Sequence, residues 1–135
     1  MINIIFISFV LLTGLRVWFI EARHDYEVIK MKVPGAQSNW KIFGNINEMT
    51  QLAVLVFLLG VFMGTAYLML FPVLVFVWWI VHDLAMGYYL TGNIFHIGSS
   101  GFDLFAARIF QMSGVLYFSF KMFWLTILTG IYFAL

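Results

Sequence analysis

The chain has no cysteine and only two prolines, Pro34 and Pro72, in 135 residues. Without cysteine there is no disulfide framework and no thiolate metal site, and the redox compartment stays open. Charge is scarce too. Asp, Glu, Lys and Arg make up 10% of the chain, whereas a soluble domain carries about 25%. The formal net charge is +1, which argues against nucleic acid as a partner. What is present is apolar: 64% hydrophobic residues, sixteen Phe and five Trp, and a mean hydropathy of +1.01. A chain of this size cannot bury that much apolar surface in its own core, so a lipid bilayer must be part of its solvent.

The few charges are grouped. All lie between Arg16 and Lys121, and residues 49–82 carry none. The stretch 2–20 is mostly apolar and carries Arg16 as its one charge, and as a helix it rises about 28 Å, close to the bilayer core of about 30 Å. It lacks a basic start and a small-residue cleavage site, so it reads as a retained helix rather than a signal peptide. Residues 21–32, EARHDYEVIKMK, continue the helix, with Arg23/Glu27 as an opposite-charge i,i+4 pair that outweighs the like-charge spacing Glu21/Asp25, and Val33-Pro34-Gly35 stops it. The first helix is therefore expected to extend about 15–18 Å beyond the bilayer.

Residues 34–46 read as a polar connector with Trp40 as an interfacial anchor and Asn45/Glu48 in capping-box spacing. Residues 49–91 would span about 64 Å as one helix, twice what the bilayer needs, so they divide into two spans. The break falls at Gly64-Thr65 or at Phe71-Pro72, and the first is preferred. Residues 91–103, TGNIFHIGSSGFD, read as a loop, and a last helix follows from about 104 to 134. The expected fold is an all-α integral membrane protein, one domain with four transmembrane helices at about 2–20, 46–63, 66–91 and 110–134 and polar loops at 21–45 and 92–105. Arg23, Lys30, Lys32, Lys41 and Arg108 all fall in or beside those loops. The positive-inside rule then places both loops on the cytoplasmic side and both termini opposite.

Two charges fall inside spans. Asp83 and Lys121 each lie about 12–14 Å from the same membrane surface. An intramembrane charge costs at least a few kcal/mol and almost always faces a partner, so these two are expected to form an ion pair between the third and fourth spans. His82 lies about 100° round the helix from Asp83 and is expected to bond a neighbouring helix. Arg16, His82 and Glu48 are candidates for a polar or proton-handling site. Arg16 can snorkel to the basic surface or pair with Glu48.

Glu21 and His24 form an ExxH pattern. In four-helix di-metal carboxylate proteins two such motifs act with two further glutamates. Here there is one, with Glu48, His96 and Asp103 as the other candidate ligands for iron, manganese or zinc. A solvated helix with ordinary i,i+3 and i,i+4 pairs accounts for the same residues, and no cofactor is expected. Gly60 and Gly64 have the small-xxx-small spacing that lets membrane helices approach closely. The glycine- and serine-rich run 96–103 lacks a P-loop pattern and reads as a capped re-entry turn.

Residues Trp79 to Lys121 resemble a group of uncharacterised small multi-pass membrane proteins of Bacteroidota and their phages. The shared features are Asp83 near the end of an apolar helix, the loop GNIFHIGSSGFD, Asp103 starting the last helix and Lys121 within it; IEARHDYEVIK after the first span fits as well. The chain departs from the group at Gly87, where Asn is usual, and at Leu104, where Arg is usual. No activity is established for that group, so the resemblance implies a bacterial or phage membrane, the virion membrane included, and no chemistry.

Three functions follow as expectations. The first is a non-catalytic structural or assembly subunit of a larger membrane complex, with other membrane subunits or further copies of itself as partners. The second is a small transporter or proton/ion pathway using Asp83, His82 and Lys121. The third is an intramembrane metalloenzyme using Glu21, His24, Glu48, His96 and Asp103.

Overall fold

The computed structural model describes residues 2–31, 36–97, 105, 107–111 and 113–135; for 2–3 and 36–45 it describes the backbone alone. Helix α1 (Ile2–Arg16) runs through a π-helical turn, Val17–Glu21, into α2 (Ala22–Lys30). Helix α3 (Ala36–Met63) returns, a 3-10 turn (Thr65–Met69) leads into α4 (Leu70–Thr91), and α5 (Gly114–Ala134) closes the bundle. No strand occurs among the described residues. Four helical stretches are long and apolar enough to cross a membrane: Ile4–Lys30, Ile46–Met63, Thr65–Thr91 and Gly114–Ala134. The protein is all-α.

Helix α4 is the hub. The share of its apolar stretch buried inside the protein is 39%, against 11–17% for the other three. Helices α1, α2, α3 and α5 all pack on it. Its buried residues Leu70, Val73, Leu74, Val77 and Ile80 recur at three- and four-residue steps, the spacing that lines one side of a helix. Leu70, Val73, Leu74 and Val77 meet Leu52 and Val56 of α3 and Tyr132 of α5 in one apolar core. Phe6 of α1 stacks on Tyr132 of α5 at 4.9 Å. In lipid such apolar contacts contribute dispersion and shape but little net hydrophobic drive, since the tails outside are as apolar as the side chains inside. Specificity of helix pairing then rests on polar contacts.

The third span begins at Gly64. That residue has φ 118° and ψ 153°, a conformation open to glycine and strained for any side chain. Pro72 sits in the first turn of α4, where its missing N–H costs no helix bond. Gly60 and Gly64 therefore do different jobs. A Cβ on Gly60 would meet Leu68 Cδ2 at 2.6 Å, whereas Gly64 has open space around it. Gly60 admits the 3-10 turn against α3 and Gly64 supplies the backbone reversal, so the two do not form one helix-packing face.

Three expectations are corrected. The connector expected over 34–46 is helical from Ala36; residues 36–43 contain neither glycine nor proline to stop the helix, and it runs on through 45 instead of starting there. The long first helix exists, but α2 does not stand free: it packs along α4, with Tyr26 stacked on Tyr89 at 5.7 Å. The last helix is not continuous from 104. It starts at Gly114, where the Ser113 side chain accepts a hydrogen bond from the Leu116 N–H, and Gln111 before it takes φ 53°.

Candidate functional site

The ionisable residues of three other helices converge on α4. On one side stand Trp78 and His82. The Trp78 indole Nε1–H is shared by two carboxylates, Glu21 from the first helix and Glu48 from α3, the latter at 3.2 Å. Arg16 faces the same two groups, with its Nε 3.0 Å from Glu21 Oε1 and a terminal nitrogen 3.8 Å from Glu48 Oε1. It also donates to Gln51 Oε1 at 3.3 Å. Arg16 thus pairs with Glu48 as well as Glu21, while its side chain stays 44% exposed.

The π turn explains how Glu21 gets there. The Ala22 N–H reaches back to the Val17 carbonyl, so one extra residue is taken into that turn and the face presented to α4 rotates. Val17, Glu21 and Ala22 become buried, while His24 is exposed. The ExxH pair is split between the inside and the outside of the bundle. The Tyr89 hydroxyl donates to the Trp18 carbonyl within the turn at 3.3 Å.

One helical turn along α4, His82 stacks on the Trp78 ring, with centroids 5.1 Å apart and planes at 19°. His82 Nε2 lies 2.8 Å from Asp25 Oδ2 of α2. Its Nδ1 lies 3.9 Å from Asp83 Oδ1, so the imidazole stands between two carboxylates from different helices. The bond to a neighbouring helix is the one expected for His82, and Asp25 is the acceptor that the sequence did not single out.

On the other side of α4, Lys121 of α5 donates to Asp83. Lys121 is 1% exposed. Its ammonium also lies over two aromatic faces, 4.1 Å from the Trp79 ring centroid and 4.0 Å from that of Tyr117, where the ring quadrupoles favour a cation. A small cleft opens beside the pair, edged by Phe95, His96, Gly114 and Tyr117. His96 is exposed at its rim. A Cβ on Gly114 would overlap the Phe95 carbonyl oxygen, and one on Gly87 would lie 2.6 Å from the Asn93 carbonyl oxygen. Both glycines let the loop after α4 lie flat against the helices that carry Asp83 and Lys121.

The metal candidates are not assembled. Glu21 and Glu48 meet at Trp78, His24 is outside and His96 is on the other side of α4, while Asp103 lies outside the described residues. Among the described residues no three of His, Asp and Glu are grouped to hold an ion.

The chain matches no protein-family model, no curated protein and no solved structure. The chemistry has to be read from the side chains themselves. They form two polar groups on successive turns of α4, Gln51–Arg16–Glu21/Glu48–Trp78 and Asp25–His82–Asp83–Lys121, which meet through the stacking of Trp78 on His82. Such an arrangement can lock helices together, hold protons, or pass them.

Proposed function

We propose that the protein is a non-catalytic structural or assembly subunit of a larger membrane complex, bacterial or viral. The observation that carries this reading is the way charge is disposed. Arg16, Glu21, Asp25, Glu48 and Lys121 all turn onto α4 and are paired there, which is how a fixed clasp between helices is built. The outer faces of α1, α3 and α5 are left apolar, as with Leu11 and Leu15, Phe57 and Val61, and Phe123. Those faces suit lipid and neighbouring subunits alike. The placement of Arg23, Lys30, Lys32, Lys41 and Arg108 supports an orientation with the 21–45 and 92–105 regions cytoplasmic and the termini opposite.

The test is gentle extraction from the native membrane into lipid discs, followed by mass measurement and cross-linking. A particle well above the monomer mass, containing other membrane subunits or several copies of this chain, is expected. A lone monomer under those conditions, capable of its biological role without partners, removes the reading.

A second reading, a small proton or ion pathway, is favoured by one specific feature. His82 is bonded to Asp25 through Nε2 and has Asp83 3.9 Å from Nδ1, so the imidazole would carry a proton between the two carboxylates once that second gap closes. Proteoliposome flux that is the same for the wild type and for Asp83→Asn removes it.

A further inference from the structure

The contacts round α4 join four carboxylates, Glu21, Asp25, Glu48 and Asp83, to two permanent cations, Arg16 and Lys121. Two negative charges are left over. Glu21 is 8% exposed and His82 and Lys121 are buried too, and a carboxylate shut away from water without a cation of its own takes up a proton. One proton has its place on His82, whose two nitrogens face Asp25 and Asp83. The other belongs at the opposite end of Trp78. There, two carboxyl groups share a single indole N–H and a single guanidinium. Two carboxylates converging on one N–H and one guanidinium repel each other, and a proton on one of them removes that repulsion.

We propose that Glu21 and Glu48 form a proton-sharing carboxyl pair, a site between the first helix and α3 that holds one exchangeable proton at neutral pH. Glu21 is the carboxylate. It takes the closer contact to Arg16, 3.0 Å against 3.8 Å, it is the nearer of the two to Trp78 Nε1, and it is 8% exposed. Glu48 is the acid, and its O–H donates to Glu21. The groups that face the pair are Arg16 from the first helix, the neutral Gln51 from α3 and Trp78 from α4. Beyond the Trp78 ring come His82 and Asp25, and Lys121 is occupied with Asp83 on the far side of α4. One cation therefore serves two carboxyl groups. A small cavity edged by Thr13, Arg16, Glu48 and Leu52 opens onto the pair and gives its proton a way in and out between α1 and α3. The site stands whether the wider network is a clasp or a pathway, since a clasp keeps this proton and a pathway turns it over.

Infrared spectroscopy of the full chain in lipid discs tests it, by comparing spectra in light and heavy water at neutral pH. The wild type is expected to show the C=O stretch of a protonated carboxyl group. That band is expected to vanish in Glu48→Gln and to survive in Asp25→Asn and Asp83→Asn. Glu48→Gln replaces a neutral acid by a neutral amide of similar shape, so its melting temperature at neutral pH is expected to match the wild type. Glu21→Gln removes the partner of Arg16 and is expected to melt lower. A wild-type spectrum without the band overturns the proposal, as does a band that persists in both glutamine variants. A band that appears only when sodium and potassium are replaced by choline also overturns it, because a metal cation then holds the site.

Discussion

Lys121 of α5 is held to Asp83 of α4 at the level of a Trp79–Tyr117 aromatic box, and this joins the last helix to the hub. The lysine is almost wholly enclosed, and Asp83, Trp79 and Tyr117 are among the groups that hold its charge. Breaking a buried pair by removing one partner costs about 3–5 kcal/mol, whereas replacing both by apolar residues of similar volume is often neutral. Asp83→Asn and Lys121→Met are therefore each expected to destabilise the protein by about that amount. The double change Asp83→Leu with Lys121→Met is expected to recover most of the loss. Unfolding in mild detergent measures all three. Equal damage from the double and the single changes means that the charge itself, and not its pairing, is needed.

The His82–Asp25 contact ties α2 to α4 and is tested separately. Residues in one hydrogen-bond network show coupling of about 0.5–3 kcal/mol in double-mutant cycles. The cycle His82→Gln, Asp25→Asn and the double variant is expected to give a coupling toward the upper end of that range. A coupling near zero means that α2 docks through its aromatic contacts, such as Tyr26 on Tyr89, and that the imidazole–carboxylate bond is incidental.

Much of this was legible beforehand, and the reason is depth. Counting helical rise from a shared loop placed Asp83 and Lys121 at one level before any contact was known. Hydropathy and length set the number of spans, and a glycine followed by a threonine marked the break at Gly64. What could not be read was the register of the first helix. The π turn at Val17–Glu21 leaves no mark in residue types, since VWFIE is as good an α-helical sequence as its neighbours. Yet it decides that Glu21 faces inward and His24 outward, and it separates two residues that ordinary helical spacing puts together. The helical start of α3 at Ala36 was hidden for a different reason. Polar residues at 37–41 resemble a loop in composition, and only the absence of a breaker from 36 to 43 pointed the other way. Gly87 and Gly114 were missed as packing residues because the carbonyls that crowd them belong to a loop, whose path a sequence does not give.

Those two glycines make a sharp prediction. Gly114→Ala puts a methyl group into the Phe95 carbonyl, and Gly87→Ala puts one 2.6 Å from the Asn93 carbonyl. Backbone atoms cannot step aside as the end of a side chain can, so both changes are expected to shift the 92–97 loop and to cost about 1–3 kcal/mol, the usual penalty of overpacking. Gly130 lies in the same helix as Gly114 with nothing within 4 Å of an added Cβ. Gly130→Ala is expected to be neutral or slightly stabilising, because alanine favours a helix over glycine by about 1 kcal/mol. Thermal melts of the three variants settle the ranking, and a Gly114→Ala protein as stable as Gly130→Ala contradicts the loop placement.

The turn between α3 and α4 separates the roles of Gly64 and Pro72. At Gly64 the φ of 118° forces any side chain into a region that costs on the order of 1–3 kcal/mol, and the surrounding space is open, so the strain is in the backbone alone. Gly64→Ala and Gly64→Val are expected to lose about that much, with valine worse because of its branched Cβ. Pro72→Ala is expected to cost less than 1 kcal/mol, since proline in a first helical turn replaces no hydrogen bond and only pre-sets φ. The measurement is chemical unfolding of each variant in the same lipid discs. If Pro72→Ala proves the more damaging change, the reversal of the chain lies at Phe71-Pro72, and the register of α4 against Lys121 moves with it.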